Sequence, residues 1–247
     1  MSASLTWRRR ARPMLGTLVE VGVAASPQAD AAIDAAFAVV AQIEAQLSAF
    51  RTDSEVCRFA ALPAGGRLQI GADLAAVLAA ARELHDASDG LFDITLQRSP
   101  AGWHCDGRWL HKHADDVCLE LGGIAKGHAV DRAVAALQAA GGAHGWVNAG
   151  GDLRAFGAAV LPLELRDEQH GGARRFAALA DGAFATSRFA ADSRCRAVGR
   201  DGRAVHAHAS VAAPTCLWAD ALTKVVAASA DARHPLLARY DAQAWLH

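Results

Sequence analysis

The chain has almost no net charge: 25 basic residues against 26 acidic ones leave −1 over 247 residues. Neither nucleic acid nor an anionic membrane surface is recommended as a partner by that balance. It also lacks any apolar run of the roughly 18–20 residues that a membrane span requires. The cluster Arg8-Arg9-Arg10 is followed by Ala11-Arg12-Pro13 instead of an apolar stretch, so it reads as neither a secretory nor a twin-arginine leader. Cysteine pairs are missing too. Cys57, Cys105, Cys118, Cys195 and Cys216 stand far apart, with no C-x-x-C and no histidine at zinc-finger spacing. The expectation is reduced thiols in a cytoplasmic protein. His111-Lys112-His113 has no third ligand at a recognisable spacing and reads as surface imidazoles. No repeat, low-complexity tract or linker divides the chain, so residues 1–247 are expected to form one domain of interleaved strands and helices.

What is present is apolar periodicity of two kinds. Residues 17–23 alternate, with Val19, Val21 and Val23 on one face and Glu20 on the other, which predicts a half-buried strand. Residues 27–49 carry Ile33, Phe37, Val40, Ile43 and Leu47 at helical spacing, and residues 73–87 do the same with Leu74, Val77, Leu78, Ala81 and Leu84 until Ser88-Asp89-Gly90 stops the helix. Between them Phe50 stands at a helix exit, suited either to plug a core or to stack on a flat ring, and Asp53 or Ser54 can cap a short helical turn. Asp93 lies between Phe92 and Ile94 and needs a partner, either backbone N–H groups or the donors of a ligand. Residues 98–116 have no clear period and read as a hairpin or irregular excursion. Residues 160–166 and 182–187 are strand-like, and residues 205–211 set Val205, Ala207, Ala209 and Val211 against His206, His208 and Ser210. A last helix over 217–230 puts Asp220, Thr223 and Lys224 on one face, where an i,i+4 Asp–Lys pair is ordinarily a solvated surface pair.

The stretch 119–156 organises the chain. An apolar piece runs into Gly122-Gly123, a helix then opens with Lys126 and Asp131, and after Gly141-Gly142 a strand through Trp146 and Val147 leads to a second glycine turn, Asn148-Ala149-Gly150-Gly151-Asp152. Glycines at a helix mouth admit a ligand to free backbone N–H groups that attract phosphate oxygens. The same glycines can simply end helices and turn the chain.

In order along nearly the whole chain, Met14-Leu15-Gly16-Thr17, residues 47–54, Asp89-Gly90-Leu91-Phe92-Asp93-Ile94-Thr95, residues 120–131, Val147-Asn148-Ala149-Gly150-Gly151-Asp152, Ala185-Thr186-Ser187 and Ala219-Asp220-Ala221-Leu222 resemble the FAD:protein FMN transferase (ApbE) family. The pair x-L-G-G-I-A-K-G-x-x-x-D and V-N-x-G-G-D carries the specificity. The resemblance implies an α/β (α+β) fold of the T-fold kind, a mixed sheet with flanking helices. It implies FAD as substrate, cleaved with Mg²⁺, FMN passing to a threonine or serine hydroxyl of a target flavoprotein with release of AMP. On that template Leu15 and Phe50 lie against the flavin, Leu91, Phe92 and Asp93 hold its ring portion, and Glu120 and Lys126 make polar contacts to FAD. The Gly123 carbonyl and Asp220 belong to the metal site.

Two departures from the pattern bear on chemistry. The family's A-D-A-x-x-T places a threonine four residues after the aspartate, where this chain has Lys224, with Thr223 one residue earlier. A protonated lysine cannot ligate Mg²⁺. Thr223 then substitutes as ligand, or the ammonium replaces part of the metal's charge, or Lys224 pairs with Asp220 and cripples the site. The S-H-I-x-D-P segment is also missing, with Arg194 or Cys195 where its histidine falls. His206 or His208 is the alternative base, since imidazole titrates near neutrality. Two other activities stay open: a protein that binds FAD without transferring it, and a pyrophosphatase giving FMN and AMP.

Overall fold

The protein is described from a computed structural model that covers residues 5–166, 171–190, 196–199 and 201–247. Along the chain come β1 (Trp7–Met14), β2 (Thr17–Ala24), α1 (Ala29–Leu47), α2 (Glu55–Ala60), β3 (Arg67–Gln69) and α3 (Ala72–Ala87). They are followed by β4 (Trp103–Asp106), β5 (Trp109–Lys112), α4 (Ala125–Ala139), β6 (Gly145–Ala149), β7 (Asp152–Arg166) and β8 (Ala173–Phe189). The chain closes with β9 (Ala207–Ala213), α5 (Cys216–Ser229), α6 (Leu236–Arg239) and β10 (Gln243–Leu246). The large sheet runs β1-β2-β6-β7-β8-β9-β10 and a small one runs β3-β5-β4.

One face of the large sheet is covered by α1, α4 and α5. The alternating valines of β2, Val19, Val21 and Val23, meet Ile33, Phe37 and Val40 of α1 and Val130, Val134 and Leu137 of α4 in one buried cluster. The two helices expose their polar sides because their apolar residues recur at helical spacing, so burying that stripe is what fixes them to the sheet. On the opposite face Trp146, Leu153, Leu163, Leu165 and Phe184 form a second cluster, edged by Trp7, Phe176 and Trp245. A third cluster joins α3 and the small sheet to the far side of α5 through Leu74, Leu78, Trp103, Leu110, Leu222 and Val226. Among the described residues no helix is long and apolar enough to cross a membrane.

Ser54 caps α2, accepting from the Cys57 N–H at 3.0 Å. The excursion over 98–116 contains the hairpin β4–β5. Three local findings differ from the sequence reading. The arginine cluster, to which the sequence reading assigned no element, is part of edge strand β1, whose alternation turns Arg8, Arg10 and Arg12 toward α1. There Arg10 meets Asp34 at 2.9 Å, Arg12 meets it at 3.1 Å, and the Arg12 guanidinium lies over the Phe37 ring. The strand-like pieces at 160–166 and 182–187 are parts of much longer strands, β7 and β8, interrupted by a register shift between Ala155 and Val160. Gly157 sits in that interruption at φ +68°. The alternating stretch 205–211 begins pairing only at Ala207, leaving His206 exposed ahead of β9.

Candidate functional site

The site forms where the loop before α4, the turn between β6 and β7, and the first half of α5 converge. Two glycines make that approach possible. A side chain at Gly127 would come within 2.7 Å of the Cys216 carbonyl carbon and 2.8 Å of the Leu217 Cα, so α4 and the start of α5 cross in backbone contact. A side chain at Gly123 would lie 2.7 Å from the Lys224 Cε, because the lysine stem runs across that glycine. Asp131, at the end of the glycine-and-lysine motif, serves as a distant cap for α5. Its carboxylate accepts from the Cys216 N–H at 2.9 Å and the Leu217 N–H at 2.8 Å, and Arg154 pairs with it at 2.8 Å. Satisfying the first orphan donors of a helix in this way fixes the α5 entry angle against α4.

Four charged side chains meet in this convergence. Asp220 and Asp152 have no solvent exposure, and Lys224 is buried. Lys224 pairs with Asp220 Oδ1, and its ammonium also donates to the Asp220 carbonyl at 2.9 Å and to Ser187 Oγ at 3.3 Å. The other Asp220 oxygen accepts the Gly127 N–H at 3.2 Å. Lys126 pairs with Asp152 Oδ2, while Asp152 Oδ1 is buried with no hydrogen-bond partner. Burial, then the nearby Asp220 charge, push the Asp152 carboxyl up to about 6 against the pull of Lys126 and Lys224. The Cys216 thiol beside them is raised well above its ordinary value by burial and by the Asp152, Asp131 and Asp220 charges, which keeps it protonated and unreactive.

A narrow cleft opens over this cluster, lined by Leu91, Phe92, Asp93, Glu120, Gly123, Arg196 and Lys224 among others. Asp93 finds its partners in its own loop: Oδ1 accepts the Thr95 N–H at 2.8 Å and Oδ2 the Gln97 N–H at 2.8 Å. Leu96 and Gln97 are held at φ +54° and +64° by that carboxylate, so Asp93 builds the cleft wall from the backbone. Phe92 is buried in the core cluster. Glu120 is exposed and accepts the Gly122 N–H at 2.9 Å. Leu15, at φ +54° in the β1–β2 turn, donates its N–H to Glu44 of α1 at 2.8 Å. Phe50 is 97 % exposed, a free ring instead of a core plug.

The sequence reading of Asp220 and Lys224 as a solvated pair is corrected: the pair is buried because α5 is enclosed on all sides from Ala219 to Ala227. Thr223 is equally committed, its hydroxyl donating to the Asp220 carbonyl at 2.7 Å, with the Ser187 hydroxyl 3.1 Å from its oxygen. A hard divalent cation needs several free oxygen lone pairs at about 2.0–2.6 Å. Here both Asp220 oxygens and the Thr223 hydroxyl are already engaged, the Lys224 ammonium sits on Asp220 and its stem crosses Gly123, so the set does not fit Mg²⁺ while Lys224 holds that position. Among the described residues no group of three His, Cys, Asp or Glu side chains could hold a metal ion. The imidazoles are not brought to the cluster. Ser187, which touches Thr223 and Lys224, pairs directly with Ala209, so the neighbouring His208 points to the other face of the sheet, where its ring lies 4.8 Å from that of His247. Arg194 and Cys195 lie outside the described residues.

Asp152 and Ser187 stand in the motifs quoted from the sequence without a role assigned to them, and Arg196 was not singled out. One signal could have found part of the cluster: of 25 basic residues only Lys112, Lys126 and Lys224 are lysines. A chain that uses arginine nearly everywhere retains lysine at positions requiring a compact point charge.

Comparison with known proteins gives a consistent result. The ApbE family model matches residues 15–108 and 99–245. The apo flavinyl transferase ApbE of Pseudomonas stutzeri is similar at 25 % identity over 92 % of this chain and 85 % of that one, with a TM-score of 0.75. The flavin transferase ApbE of Vibrio cholerae shares 18 % identity over 98 % of this chain and 94 % of its own, at a TM-score of 0.84. The ApbE protein of Thermotoga maritima shares 21 % over 98 % and 94 %, at 0.83. At those last two identities the likeness speaks for the fold alone. No curated protein matches the chain.

Proposed function

The chain belongs to the ApbE family, and from that premise we propose that it is a flavin transferase that takes FAD as donor and a target flavoprotein as acceptor. The observation that carries the reading is the buried cluster Lys126–Asp152 and Lys224–Asp220 at the glycine mouth of α4, beneath a cleft that also holds Arg196. Cations fixed at a helix mouth bind a diphosphate and neutralise the charge that grows as its bridge breaks. In the proposed reaction a threonine or serine hydroxyl oxygen of the target attacks the FMN-side phosphorus. The bond from that phosphorus to the bridging oxygen breaks, AMP leaves with that oxygen, the hydroxyl proton passes to water, and FMN remains joined as a phosphodiester. The exposed Phe50 ring and the Leu15 turn are proposed to hold the isoalloxazine, with Leu91, Phe92 and Asp93 shaping the cleft beside it and Glu120 at its rim. The Mg²⁺ that the family resemblance implies has no part in this reaction, because the donor set is closed by Lys224. The cytoplasm is proposed as its compartment on the wide spacing of the five cysteines in the sequence.

The test is to incubate the protein with FAD and a flavoprotein that carries an acceptor threonine. A fluorescent band on the denatured target, with AMP in equal amount, is the expected result. AMP without a protein adduct would assign a pyrophosphatase, and intact bound FAD with neither product would assign a carrier.

A further inference from the structure

We propose that the Lys224 ammonium replaces the divalent cation in this chain, so that flavin nucleotide is bound at its diphosphate without a metal; the inference rests on the flavin reading above. Four observations converge on it. The ammonium sits on Asp220 Oδ1 and the Asp220 carbonyl, where it satisfies the oxygens a cation would otherwise take. The second carboxylate oxygen is already engaged by the Gly127 N–H, and the Thr223 hydroxyl by Ser187 and the Asp220 carbonyl. The lysine stem fills the space over Gly123. The charges also balance: two carboxylates, Asp152 and Asp220, face two ammoniums, Lys126 and Lys224, so a dication added here would leave an excess of two positive charges in a buried place.

Lys224 reaches the cleft as one of its lining residues, together with Arg196. Of its three donor bonds the longest, 3.3 Å to Ser187, is the one a phosphate oxygen would displace. Arg196 lines the same cleft and adds a second cation, whose planar fork of N–H donors suits a phosphate. Lys224 and Arg196 thus offer the diphosphate N–H donors fixed in the protein in place of a bound Mg²⁺, and they need no metal to be recruited from solution.

The experiment compares FAD binding by calorimetry in EDTA and in excess Mg²⁺, for the natural chain and for Lys224→Thr, with Mn²⁺ binding to both FAD-free proteins followed by electron paramagnetic resonance. The natural chain is expected to bind FAD with affinities agreeing within about twofold in the two buffers, and to leave Mn²⁺ free in solution. Lys224→Thr is expected to lose about tenfold or more in EDTA, to recover in Mg²⁺, and to immobilise Mn²⁺, because a hydroxyl then replaces the ammonium beside Asp220. FAD binding by the natural chain that appears only with Mg²⁺, or Mn²⁺ immobilised by it, overturns the inference and leaves the flavin reading standing. An absence of FAD binding in both buffers overturns both. Should Lys224→Thr fail to fold, the two measurements on the natural chain decide the matter by themselves.

Discussion

Gly127→Ala opposes two effects whose sizes can be compared. In an isolated helix the change favours folding by about 1 kcal/mol, because alanine loses less backbone freedom than glycine. In this protein the new methyl group would stand 2.7 Å from the Cys216 carbonyl carbon, 2.8 Å from the Leu217 Cα and closer still to the Cys216 oxygen. Carbon contacts are comfortable from about 3.5 Å, so α4 and α5 must part by about 1 Å. The atoms in the way are backbone and cannot swing aside, which puts the cost at the upper end of the ~1–3 kcal/mol typical of overpacking. Overpacking therefore wins, and a net loss of about 1–2 kcal/mol is expected, lowering the melting temperature by ~2–8 °C. The separation also draws the Gly127 N–H off Asp220, now at 3.2 Å, so FAD affinity should fall with stability. Urea unfolding followed by circular dichroism, with FAD titration alongside, measures both. A Gly127→Ala protein more stable than the natural one by about 1 kcal/mol would show that the two helices do not touch there, and would refute the geometry on which the site is built.

Further predictions rest on single residues. Asp152→Asn should change the pH dependence of stability. The native carboxyl is raised from 3.8 to about 6, so between those values the folded protein binds more protons than the unfolded chain and loses stability as pH rises. Relative to Asp152→Asn, the natural chain should lose about 2 kcal/mol between pH 4 and 7, and a flat difference in urea midpoints across that range would contradict the burial argument. Phe50→Ala should leave stability within about 0.5 kcal/mol, since the ring is free, yet weaken FAD binding several-fold through a lost stacking contact of ~1 kcal/mol. Asp131→Ala should cost about 2 kcal/mol, because it strands two N–H donors at the start of α5 and the Arg154 guanidinium, and unchanged unfolding midpoints would deny it that role.

Much of the scaffold was legible because burial imposes period. The helices α1, α3 and α5 and strand β2 fell where spacing put them, since their apolar residues recur at the period of the element and are buried, β2 in one cluster, α3 in another, and α1 and α5 in both. Strand β1 was hidden by its composition: Arg8, Arg10 and Arg12 read as a charge cluster until the aspartates of α1 stood opposite. The motif residues were visible, but their partners were not, because contacts such as Asp131 with Cys216 or Lys126 with Asp152 join segments far apart in the chain. For the same reason Asp220 and Lys224 looked like a surface pair. Four residues apart on a helix, their spacing is identical whether water or a neighbouring helix lies over them, and only the glycine at 127 hinted at the crossing.

The scarcity of lysine has a practical outcome. Lys112 is fully enclosed, Lys224 nearly so, and the Lys126 side chain shows a quarter of its surface. Reagents that acylate amines therefore meet an arginine-covered exterior with almost no ε-amino groups to modify. Among the lysines of the folded molecule, Lys126 is then the one such a reagent can reach, so its acylation would report on the ion pair with Asp152 at the glycine mouth of α4.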